Sequence, residues 1–128
     1  MDLRPHHIGI VVSDLERSIA FYEALGFHTV RVMDSDDGSR VITFMDLGGM
    51  QVELFWYATT PAPAERGEKR LGFAHLALDT VDVAAALAEL KATGLVPDDV
   101  QPRVVPPDFT LAYILDPDGA EIELMQRG

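Results

Sequence analysis

The sequence predicts an α+β fold made of two tandem β-α-β-β-β modules. Two observations carry this. First, the chain repeats itself: an offset of 68 carries His7 onto His75, Asp14 onto Asp82, Ile19 onto Leu87 and Gly26 onto Gly94. An offset of 70 then carries Asp46-Leu47-Gly48-Gly49-Met50-Gln51-Val52-Glu53-Leu54 onto Asp116-Pro117-Asp118-Gly119-Ala120-Glu121-Ile122-Glu123-Leu124. Second, each copy opens with a short alternating apolar run and follows it with one amphipathic stretch, the pattern of a strand leading into a helix. Each copy also opens with a histidine and closes with a glutamate, both on expected strands.

Size and composition bound the possibilities. A chain of 128 residues with 48% hydrophobic residues is expected to form one domain over 1–128, with module one at 1–57, a linker at 58–71 and module two at 72–128. There is no cysteine, so disulfide and thiolate chemistry are excluded, and any metal site must use His, Asp and Glu. The net charge of −11 argues against nucleic acid as a partner, because phosphates demand a basic surface. No run approaches the roughly 18 apolar residues of a membrane span, and residues 1–12 do not form a leader, so a cytoplasmic protein without a membrane partner is expected.

In chain order, residues 5–12 read as a strand, with His7, Gly9 and Val11 on one face and His6, Ile8, Ile10 and Val12 on the other. Ser13 or Asp14 caps a helix that Gly26 ends. Strands follow at 27–33, 40–46 and 50–57, the last two joined by Gly48-Gly49. The linker holds Pro61, Pro63 and the charges Glu65, Arg66, Glu68, Lys69 and Arg70, and is expected to be exposed. Module two repeats the order with a strand at 72–79, a helix capped by Thr80 or Asp82 and ending near Thr93, and strands at 109–115 and 120–126. Its second strand falls within 96–105, and Pro97, Pro102, Pro106 and Pro107 predict that it is short or at an edge.

Alternation places the candidate site. Val52 and Leu54, like Ile122 and Leu124, are the apolar set that packs on each module's helix, which leaves Glu53 and Glu123 on the opposite, concave face. His7 and His75 join them by the same reasoning. Two imidazoles and two carboxylates suit one divalent ion such as Zn, Ni, Co, Mn or Fe. Oxygen-activating iron sites more often use two histidines and one carboxylate, so the second glutamate tilts the reading toward Lewis-acid and proton-transfer chemistry. Phe55, Tyr57, Phe73 and Tyr113 are candidates to line a substrate pocket, and Arg40 and Arg103 to meet an anionic substrate. His6, on the far face, reads as structural or surface, His28 as surface, and Trp56 as core. Glu121 lies further along the site face, and Asp46 and Asp116 read as turn formers. No Gly-x-Ser-x-Gly is present, which disfavours a serine hydrolase.

His-Ile-Gly-Ile-x-Val-x-Asp-Leu followed by Phe-Tyr-x-x-Leu-Gly-Phe (His7 to Phe27), together with Asp-Pro-Asp-Gly-x-x-Ile-Glu-Leu (Asp116 to Leu124), resembles the glyoxalase/bleomycin-resistance/extradiol-dioxygenase group, the vicinal oxygen chelate superfamily. The resemblance spans essentially the whole chain. It implies one bowl-shaped mixed sheet around a site whose ligands are the equivalents of His7, Glu53, His75 and Glu123. The His/Glu/His/Glu set looks most like bacterial glyoxalase I, which turns the hemithioacetal of methylglyoxal and glutathione into lactoylglutathione. The mechanism it implies is metal polarisation of vicinal oxygens, an enediolate, and proton transfer by a glutamate next to the carbonyl. By resemblance the base is Glu123 with Glu53 opposite; the residues alone do not choose. By analogy a homodimer is expected, in which two chains share a site.

The chain departs from that pattern where Val11 replaces a customary glutathione-binding arginine and Tyr57 a customary asparagine. The small-molecule substrate therefore stays open between glutathione, another thiol adduct, a CoA ester undergoing epimerisation, and an apolar compound. Two other functions in the group are a metal-free antibiotic-binding protein and a ring-cleaving dioxygenase.

Overall fold

The computed structural model describes residues 1–63 and 71–127, and the charge cluster expected in the linker at 65–70 lies outside them. The chain forms two compact units, Met1–Pro63 and Ala64–Gly128. Among the described residues no helix is long and apolar enough to cross a membrane.

The first unit runs β1 (His7–Val12), α1 (Leu15–Ala24), β2 (His28–Asp34), β3 (Arg40–Leu47) and β4 (Met50–Tyr57). Its four-stranded sheet has the order β1-β4-β3-β2. β1 pairs parallel to β4, and the remaining pairs are antiparallel. The parallel pairing sets His7 beside Gln51 and Gly9 beside Glu53.

Helix α1 starts and stops where its sequence says it should. Asp14, in an extended conformation, accepts a 3.1 Å bond from the Arg17 backbone N–H through Oδ1. At the other end Gly26 takes φ +107°, donating to the Glu23 carbonyl, and the Phe27 N–H reaches back to the Tyr22 carbonyl at 3.0 Å. This is a Schellman ending, and its hydrophobic contact is present: the Phe27 ring meets Tyr22 edge-on at 5.8 Å. Ser18, Phe21 and Tyr22 form the buried stripe of the helix. Val12, Thr43, Met45, Val52 and Leu54 are all buried and share one face of the sheet by strand register, so that face is the core face. Gly48 and Gly49 both have positive φ, as a two-residue hairpin of the I′ kind requires.

The second unit runs β5 (Leu76–Asp79), α2 (Val83–Ala92), β6 (Arg103–Val105), β7 (Phe109–Leu115) and β8 (Glu121–Arg127). Its sheet has the matching order β5-β8-β7-β6, again with a parallel first pair. Asp82 caps α2 through a 3.0 Å bond from the Ala85 N–H. The helix end differs in detail from its twin: the Thr93 hydroxyl donates to the Leu90 carbonyl at 2.6 Å and accepts from the Leu95 N–H. Asp116 is 4% exposed and closes the β7–β8 turn, accepting through Oδ1 from the N–H groups of Asp118 and Ala120. Both Asp116 and Asp46, which accepts from the Gly49 N–H, are the turn formers expected. β6 is three residues long and sits at the sheet edge, as the prolines around it require.

One boundary departs from expectation. The strand expected from Gly72 begins only at Leu76. Its parallel partner β8 offers pairing from Ile122 onward, and residues 117–119 before it form a turn. Among the described residues, 72–75 pair with no strand, and Gly72 takes φ +107°, outside the strand region.

Candidate metal centre

In the first unit, β4 presents Val52 and Leu54 to the core, both fully buried, and turns Glu53 to the other face. Glu53 is nevertheless only 6% exposed. A buried carboxylate needs a partner, and it has one: Nδ1 of His7 lies 2.6 Å from Glu53 Oε2. Gly9 sits on the same face. A Cβ there would lie 3.2 Å from Cε2 of Phe55, so the missing side chain makes room for that ring.

His6 is not on the far face. Its Nδ1 stands 2.7 Å from Nδ1 of His7, and the rings meet edge-on at 5.0 Å. Alternation holds only within a paired strand, and β1 begins at His7, opposite Gln51. His6 precedes the pairing and turns toward its neighbour. His6, His7 and Glu53 form a group whose ligand atoms all lie within 4.8 Å of one another, so these residues are able to hold a metal ion. The signal available in the sequence was the doublet itself, two adjacent histidines directly after Pro5.

In the second unit, β8 turns Ile122 and Leu124 to the core and Glu123 to the opposite face. Nε2 of His75 lies 3.0 Å from Glu123 Oε2. His75 stands one residue before β5, so the contact does not depend on the strand extending to it. Tyr113, directly opposite Glu123 across β7 and β8, donates its hydroxyl to the same oxygen at 2.8 Å. Its ring also meets that of His75 edge-on at 5.4 Å. The hydrogen bond to Glu123, then burial, then the negative charge nearby push the Tyr113 phenol above its ordinary pKa of 10.0. The corresponding partner of Glu53 is Phe44, which has no hydroxyl, so the two carboxylates differ in their surroundings.

The pocket candidates are placed differently from one another. Phe55 and Tyr57 lie on β4, half-buried, with Tyr57 opposite Arg40. Tyr57 and Arg40 line a shallow cavity of about 500 Å³ together with Ser35, Asp37 and Ser39. Tyr113 and Arg103 line another, of about 350 Å³, with Leu111 and Gln101. Phe73 is fully exposed in the unpaired segment before β5 and does not share a strand face with His75, a correction that follows from the shortened strand. Trp56 is half-buried rather than core.

Residues 4–124 match the family model described as the Glyoxalase/Bleomycin resistance protein/Dioxygenase superfamily. The lactoylglutathione lyase of Escherichia coli O157:H7 is 28% identical over 126 residues, covering 98% of this chain and 93% of that protein. A probable chloroplastic lactoylglutathione lyase of Arabidopsis thaliana is 28% identical over 123 residues; the match takes in 95% of this chain but only 35% of the plant protein. Among solved structures, the glyoxalase family protein from Enterococcus faecalis superposes with a TM-score of 0.78 at 26% identity, covering 95% of this chain and 96% of that one. With the repeat, the two matching sheets and a match over nearly its whole length, this chain belongs to the glyoxalase/bleomycin resistance protein/dioxygenase superfamily.

Proposed function

We propose that this protein is a divalent-metal-dependent lyase or isomerase of the glyoxalase I kind, with His7, Glu53, His75 and Glu123 as the metal ligands. One observation carries the reading. At repeat-related positions each unit sets an imidazole nitrogen against a glutamate oxygen, at 2.6 Å in the first and 3.0 Å in the second. Both carboxylates are largely withdrawn from water, with side chains 7% and 13% exposed. Such a donor set fits Ni, Zn, Co, Mn or Fe. When bound, the ion supplies Lewis acidity toward the oxygens of a carbonyl substrate.

The chain's own residues supply the proton transfer. Glu123 is the group we assign to remove the proton next to the carbonyl, and Glu53 works from the other side. The Tyr113 hydroxyl holds Glu123 Oε2 and fixes which oxygen is free to act. Phe55 and Tyr57 in the first unit, and Tyr113 in the second, are our candidates to line a substrate pocket, with Arg40 and Arg103 as candidates to meet an anionic substrate. We place the protein in the cytoplasm, as a homodimer acting on a small molecule.

The test is metal content by mass spectrometry on protein purified without an affinity tag or chelator, beside Glu123→Ala. About one transition-metal ion per chain, lost in the variant, supports the reading. The loaded protein is then assayed with the hemithioacetals of methylglyoxal. A wild-type protein that carries no metal and takes up none of the five ions sinks the proposal in favour of a metal-free binding protein. Oxygen consumption with a catechol would instead favour ring cleavage.

A further inference from the structure

Three ligand atoms converge in the first unit with too few hydrogens between them. His7 Nδ1 stands 2.6 Å from Glu53 Oε2 and 2.7 Å from His6 Nδ1. A neutral imidazole nitrogen carries one hydrogen or one lone pair, never both. If His7 Nδ1 donates to the carboxylate, its single hydrogen cannot also point well at His6. If it accepts from His6, a lone pair faces the Glu53 oxygen. One hydrogen at His7 Nδ1 therefore satisfies one of these contacts and leaves the other unmatched, with no hydrogen aimed at His6 in the first case and facing lone pairs at Glu53 in the second; a cation among the three atoms would accept a lone pair from each. Glu53 anchors the group, being 6% exposed on a central strand, while His6 is exposed and unconstrained by strand pairing. The chain's net charge of −11 further favours cations near it.

We propose that His6 is a metal ligand alongside His7 and Glu53, so that the first module by itself supplies three donors to a divalent transition-metal ion. The inference rests on the reading above that His7 and Glu53 bind metal, and it adds a residue the repeat does not predict, since the position equivalent to His6 in the second module is Ala74. Two imidazoles and a carboxylate are a donor set of the kind that binds Zn, Co, Ni or Fe.

The experiment is calorimetric titration of the full-length protein with Co²⁺, with the visible absorption of bound Co²⁺ recorded in parallel. Four proteins are compared: wild type, His6→Ala, the double variant His75→Ala/Glu123→Ala, and the triple variant adding His6→Ala. His6 is exposed, so its removal leaves the fold intact, which circular dichroism verifies. We expect His6→Ala to weaken Co²⁺ binding at least tenfold in the wild-type background, as ligand loss does, and to change the Co²⁺ spectrum. The double variant is expected to bind Co²⁺ under titration, but too weakly to retain metal through purification, and the triple variant to bind none. Equal affinity and an unchanged spectrum on His6→Ala overturn the inference and leave the four-residue centre standing. A wild-type protein that binds no Co²⁺, Ni²⁺ or Zn²⁺ overturns the metal reading itself. Should the double variant fail to fold, the comparison of wild type with His6→Ala decides alone.

Discussion

The Tyr113 hydroxyl donates a 2.8 Å hydrogen bond to Oε2 of Glu123, the same oxygen that stands 3.0 Å from Nε2 of His75. Two groups from different elements thus hold one carboxylate oxygen. Tyr113→Phe removes one of them and keeps the ring. Because Tyr113 is 38% exposed, the stability cost is expected to be modest, about 1 kcal/mol. The larger effect is expected on turnover, with kcat falling while metal content stays near wild type. Denaturant midpoints and steady-state kinetics on the metal-loaded protein check both, and an unchanged kcat removes Tyr113 from the positioning of Glu123.

The two helices carry matched caps, Asp14 and Asp82, each accepting from the backbone N–H three residues on. Alanine at either position leaves an N–H without its carboxylate partner at a helix start. Each substitution is expected to cost about 1 kcal/mol. Urea denaturation reads the loss, and a cost near zero at either site means water replaces that cap fully.

Gly9 and Phe55 are coupled by space. A Cβ at position 9 falls 3.2 Å from the Phe55 ring, so Gly9→Val, with two further methyl groups, is expected to cost roughly 1–3 kcal/mol by overpacking. In the Phe55→Ala background the same change is expected to cost much less. A double-mutant cycle measures this, and additive effects would show that the ring and the strand do not press on each other.

Asp37 organises the turn between β2 and β3. Its Oδ1 accepts from the Ser35 hydroxyl at 2.9 Å, the Ser39 hydroxyl at 2.7 Å and the Ser39 N–H at 3.0 Å. The Ser39 hydroxyl bond, then the Ser39 backbone bond and the Ser35 bond, lower the Asp37 carboxyl from 3.8 to about 2. The folded protein therefore holds this proton less tightly than the unfolded chain. The stabilisation is complete above the unfolded value of 3.8 and is lost as the pH falls through about 2. Carboxyl-resolved NMR titration should find Asp37 among the last carboxylates to protonate, and Asp37→Asn should flatten the stability change over that window. A midpoint near 3.8 would contradict this account.

Much of the fold was legible because the repeat and the local signals agree. Asp14 and Asp82 mark helix starts, Gly26 and Gly94 mark helix ends, and Val52-Glu53-Leu54 and Ile122-Glu123-Leu124 alternate without ambiguity. Where a strand is paired on the core side, its period of two fixes which residue faces where. That is why alternation alone puts Glu53 and Glu123 on the face away from Val52, Leu54, Ile122 and Leu124. Where pairing stops, the same rule fails. Among the described residues the segment from Gly72 to His75 pairs with no strand despite its alternating sequence, so Phe73 is exposed and β5 starts late.

What the sequence by itself determined, then, is the order of elements, their caps and turns, and the two buried faces, because each depends on bonds within a few residues or on a period along one strand. Only the tertiary structure decided which atoms meet. It paired His7 through Nδ1 and His75 through Nε2. It set Tyr113 on Glu123 across a strand pair where Phe44 faces Glu53, and it turned His6 onto His7 at the frayed start of β1. These contacts depend on strand register and on where pairing ends, and both are set by hydrogen bonds between segments far apart in the chain.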